Sequence, residues 1–86
     1  MRIELEIPQY EGHGIEVFFE KNARYAIKVV DDRNIYIHVN KEGLITLAKQ
    51  MLYFAYNDLP EGSHVHYDGF LTNDYENAEL VIEKMN

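Results

Sequence analysis

The sequence predicts an α+β fold: four strands, one amphipathic helix and two further strands, with the helix packed on one face of a mainly antiparallel sheet. Three observations carry this. The stretch Asn40 to Asp58 repeats apolar residues at helical steps. Ahead of it, short runs alternate apolar and polar residues and are broken by turn residues. After it, two more short runs flank a segment rich in Asn, Asp and Thr. Short connections between the first four runs favour antiparallel neighbours. The 86 residues, 1–86, are expected to form one domain, since no repeat or linker interrupts them.

In chain order, Arg2 to Ile7 alternates with Ile3, Leu5 and Ile7 inward, and Pro8 to Gly14 is a turn. Ile15 to Phe19 and Tyr25 to Val30 read as the second and third strands. Asp31 to Asn34 is a tight turn. Ile35, Ile37 and Val39 form the inward row of the fourth strand, with Tyr36 and His38 on the other side. The helix follows. Leu44, Leu47, Ala48, Met51, Leu52 and Ala55 share one face, expected to be the buried one, while Thr46, Lys49, Gln50, Tyr53 and Asn57 lie opposite. Asn40 suits the N-cap, Glu42 suits the positive end of the dipole, and Leu59-Pro60-Glu61-Gly62 stops the helix. His64 to Tyr67 and Leu80 to Glu83 make a closing hairpin.

Composition excludes several function classes. Without cysteine there is no disulfide framework and no thiolate chemistry. No run approaches the roughly 20 apolar residues that span a bilayer. The alternating amino-terminal stretch does not resemble a signal peptide, so a cytoplasmic location is expected. A net charge of −7 disfavours direct contact with nucleic acid or an anionic membrane, which need clustered Lys and Arg. From Asn57 to Glu83 there are seven acids and no Lys or Arg, a block able to steer a basic partner.

No phosphate loop, serine elbow or Cys/His pair is present, and no catalytic residue or cofactor is expected. One polar constellation stands out. His64, His66 and Asp68 fall on one side of their strand and Val65 and Tyr67 on the other. Two imidazoles at i and i+2 with a nearby carboxylate can address a divalent metal, or they can be open-face residues contacting a partner. Tyr36, His38, Glu76 and Glu79 are further candidate partner contacts. Tyrosine in particular combines apolar area with a hydroxyl at low entropic cost. An exposed sheet face could also pair two copies of the chain as a homodimer.

Asn40-Lys41-Glu42-Gly43-Leu44 and Leu47 to Leu52 resemble the helix of the bacterial immunity protein 32 family. Leu59 to Asp68 is similar to that family's "PxGSHxHxD" segment, and Glu79 to Lys84 to its closing strand. The resemblance implies an antidote that neutralises a cognate toxin of a polymorphic toxin system by tight protein binding without turnover. The acidity favours a nuclease as that toxin. Two alternatives stay open: a metal- or ligand-binding domain at His64, His66 and Asp68, and a structural homo-oligomer.

Overall fold

The computed structural model describes residues 1–30, 33–67 and 80–86. Element order is β1 (Tyr25–Val30), β2 (Asn34–Val39), α1 (Lys41–Tyr56), β3 (His64–Tyr67) and β4 (Leu80–Glu83). β1 and β2 pair antiparallel, with Tyr25 opposite Val39 and Ile27 opposite Ile37. β3 and β4 pair antiparallel, with Val65 opposite Ile82 and Tyr67 opposite Leu80. The fold is thus α+β, but among the described residues its strands form two separate two-stranded sheets rather than one.

The start of α1 shows why Asn40 and Gly43 stand where they do. The Asn40 side-chain oxygen accepts the Gly43 N–H and the Arg24 N–H, both at 2.8 Å, and its amide nitrogen donates to the Asn22 carbonyl. One side chain thereby caps the helix and ties it to the chain entering β1. Asn22 itself adopts a left-handed φ of 67°, which asparagine tolerates better than most residues. A Cβ on Gly43 would lie 2.6 Å from Val39 Cγ1 and 2.8 Å from the Arg24 carbonyl oxygen, so only glycine fits this close approach. At the other end, no basic residue lies in the last turn. Lys84 reaches in from beyond β4 instead and donates to the Phe54 carbonyl at 2.5 Å, placing a cation at the negative end of the dipole.

The core comprises Tyr25, Leu47, Tyr53, Phe54, Leu59, Val65 and Tyr67, with Ile7, Tyr10, Ile15, Phe18, Val39, Leu80 and Ile82 packed around it. Edge-to-face ring pairs join the two hairpins to each other, Tyr25 with Tyr67, and the amino-terminal segment to the helix, Phe18 with Tyr53.

Three expectations need correction. Among the described residues, 2–7 and 15–19 form no strand ladder. Four N–H groups of the amino-terminal segment instead donate to side chains of the helix and its C-cap. Thr46 Oγ1 accepts from Glu20 N, Gln50 Oε1 from Phe18 N, the Tyr53 hydroxyl from Glu16 N, and Asn57 Oδ1 from Tyr10 N. The spacings match only roughly. Two strand residues advance about 6.6–6.8 Å, whereas helix steps of four and three residues advance about 6.0 and 4.5 Å. The long reach of Tyr53 bridges the shorter step.

The second correction follows from the first. The helix face expected to be polar is buried, since Thr46, Gln50 and Tyr53 are fully enclosed with Leu47 and Phe54. The expected apolar face is open: Leu44 is 57% and Met51 52% exposed, and Ala48 and Ala55 are exposed as well. Only Leu47 of that stripe is buried. Backbone amides lacking a strand partner need acceptors, and a purely apolar face would have left them unsatisfied.

The third concerns the inward row of the sheet. Ile3, Ile35 and Ile37 are exposed rather than covered by the helix. Along the β1–β2 hairpin, cover declines from the base, where Tyr25 and Ile27 are buried, towards the turn, where Ile35 is 70% exposed.

Candidate partner-binding surface

The β3–β4 hairpin positions the two strand histidines by what it buries on its other side. Val65 and Tyr67 point into the core, and Tyr67 is fixed there by donating its hydroxyl to Gln50 of α1 at 2.8 Å. Burial, with Tyr25 adding a smaller effect, pushes the Tyr67 phenol up from its ordinary value. Alternation along the strand then turns His64 and His66 outward, where both are exposed. Their rings lie edge to face with centroids 5.0 Å apart.

The turn ahead of β3 orients the first of them. Gly62 takes a left-handed φ of 83°, and the Ser63 N–H and hydroxyl both donate to the Pro60 carbonyl. This brings the Gly62 carbonyl to 2.8 Å from His64 Nδ1. A carbonyl can only accept, so Nδ1 carries the proton and Nε2 is the nitrogen left facing outward chemistry. Glu83, the cross-strand partner of His64, places a carboxylate oxygen 3.9 Å from the same Nδ1. Both side chains are largely in water, where such a pair adds little to stability.

Tyr36 and His38 occupy the outer face of β2. Both are exposed, with rings edge to face at 6.3 Å. Beside them an open recess of about 490 Å³ is lined by Arg24, Tyr25, Ala26, His38, Val39 and Asn40. The expected residues therefore form two pairs, one on each hairpin. Asp68, Glu76 and Glu79 lie outside the described residues. Among the described residues, no group of three or more His, Asp or Glu is arranged to hold a metal ion.

Two apolar features accompany these pairs. One is the exposed helix stripe of Leu44 and Met51. It continues into a groove of about 380 Å³ whose lining includes Met51, Phe54, Ala55, Ile82 and Met85. The other is the row of Ile35 and Ile37 on β2. A sequence signal for the first existed: Thr46, Gln50, Tyr53 and Asn57 recur at the same helical spacing as the apolar stripe, so either face had the period of a buried one.

The family model described as Immunity protein 32 matches residues 34–85, which takes in β2, α1, β3 and β4 and is more than half of the chain. No curated protein and no solved structure matches the chain. No helix among the described residues is long and apolar enough to cross a membrane.

Proposed function

The chain belongs to the immunity protein 32 family, and we propose that it neutralises a cognate bacterial toxin, a nuclease, by tight binding without turnover. The family match over residues 34–85 carries this reading. The net charge of −7 supports the choice of toxin class, because an acidic surface can fill a basic cleft in place of nucleic acid. His64 and His66 on β3 and Tyr36 and His38 on β2 are the contacts we assign to the toxin, with Asp68, Glu76 and Glu79 supplying an acidic rim. Occlusion of the cleft requires only complementary shape and charge, so no residue of the chain needs to act as acid, base or nucleophile.

The test is to purify the toxin-domain product of the adjacent gene, measure binding, and titrate the chain into a nuclease assay. One-to-one inhibition with protection of toxin-expressing cells is the expected result. Failure to bind that product would remove the immunity reading. Binding without any nuclease activity to inhibit would remove only the toxin class.

A further inference from the structure

We propose that the outer face of β3 binds a divalent transition-metal ion, with His64 Nε2 and one ring nitrogen of His66 as its two protein ligands. This does not rest on the toxin reading. The two rings have centroids 5.0 Å apart and planes at 70°. Two imidazoles that share one tetrahedral zinc, each nitrogen about 2.0–2.1 Å from the ion, bring their ring centres to about 5 Å. The pair therefore already has the spacing that an ion would impose. Residues at i and i+2 of a strand are about 6.6–6.8 Å apart along the backbone, so the rings lean towards each other.

The surroundings of His64 are those of a ligand. Its Nδ1 donates to the Gly62 carbonyl at 2.8 Å, with a Glu83 carboxylate oxygen 3.9 Å away. Ligating histidines are ordinarily held in this way, the second nitrogen bonded to a carbonyl or carboxylate that fixes the tautomer and raises the basicity of the first. The backbone beneath is fixed too. Val65 and Tyr67 anchor β3 in the core, and the Lys84 N–H donates to the Ser63 carbonyl at 2.9 Å. Imidazole nitrogen selects zinc, copper or nickel over magnesium and calcium, which take oxygen. The net charge of −7 also draws cations to the surface. Two protein ligands are fewer than those of catalytic or structural zinc sites, so water fills the remaining positions and the ion exchanges readily.

Calorimetric titration of zinc chloride into the full chain tests this, with magnesium chloride as the control. One zinc per chain and no magnesium uptake are expected. His64→Ala and His66→Ala lie at exposed positions and should keep the circular dichroism of the parent. Each should weaken zinc binding by more than about tenfold, the least that losing an outer-shell support costs. His13→Ala, which removes a histidine of the amino-terminal segment, should bind zinc as the parent does. Nitrogen NMR of the His64 ring should place the ion at Nε2 and keep the proton at Nδ1. Absence of zinc uptake would overturn the proposal. So would uptake that either His64→Ala or His66→Ala leaves unchanged, uptake that His13→Ala abolishes, magnesium bound as well as zinc, or one ion shared between two chains.

Discussion

The Tyr67 hydroxyl donates to Gln50 Oε1 at 2.8 Å, and the same oxygen accepts the Phe18 N–H at 2.9 Å. The Gln50 amide nitrogen in turn donates to the Glu16 carbonyl. One fully enclosed glutamine (0% exposed) therefore joins β3, the helix and the amino-terminal segment. Gln50→Leu would leave the buried Tyr67 hydroxyl and two part-buried backbone groups without their partner and should destabilise the fold by about 2–4 kcal/mol. Met51→Ala, one position along on the open face, should stay within about 0.5 kcal/mol. Urea denaturation of the two variants measures the contrast, and equal losses would contradict the buried polar face.

Gly43→Ala sets two effects of opposite sign against each other. Alanine gains about 1 kcal/mol of helix propensity over glycine, but its Cβ would meet the Arg24 carbonyl at 2.8 Å. That carbonyl already accepts the Asn40 N–H, so it cannot retreat without breaking the junction. Net destabilisation of about 1–3 kcal/mol is expected, and thermal melts would reveal it. Asn40→Ala should cost about 1–2 kcal/mol through loss of the cap.

Much of this architecture was legible in the sequence, and the illegible part has a physical cause. The bounds of β1, β3 and β4, the cap at Asn40 and the outward turn of His64 and His66 all follow from alternation and turn chemistry. Period alone could not say which helix face is inward, since Leu44–Met51 and Thr46–Gln50–Tyr53 repeat equally well. What decided it was the demand of Glu16, Phe18 and Glu20 for hydrogen-bond acceptors. Alternation in residues 2–7 suggested a strand, but it could not supply a neighbouring strand, and none pairs with it among the described residues. Asp68, Glu76 and Glu79 lie outside the described residues and their part in a site rests on sequence.

Tyr67 ties stability to alkaline pH. Its phenol is held above the ordinary value of 10.0 by burial. The folded state therefore keeps its proton where the unfolded chain releases it. Its contribution is fully present below that ordinary value and is lost as pH rises beyond it. Denaturant midpoints should fall on the alkaline side, and Tyr67→Phe, though less stable at neutral pH, should show a shallower fall. An identical slope in both proteins would contradict the assignment.

For the toxin complex, long-range attraction acts on encounter and is screened beyond roughly 8–10 Å near physiological ionic strength. Glu76→Lys with Glu79→Lys should lower the association rate by about tenfold or more. His64→Ala and His66→Ala should instead speed dissociation. Stopped-flow binding at low and high salt separates the two, and a salt-independent association rate would remove electrostatic steering.

The hydrogen bonds from Tyr10, Glu16, Phe18 and Glu20 to helix side chains also imply a distinctive hydrogen-exchange pattern. Amides 16, 18 and 20 should exchange slowly and 17 and 19 quickly. That every-other-residue rhythm is normally the signature of a strand at the margin of a sheet, yet here helix side chains supply it. Opening of this segment would be timed by rotamer changes of Thr46, Gln50 and Tyr53 rather than by separation of two backbones. It can loosen one residue pair at a time, while the β1–β2 and β3–β4 pairings stay closed.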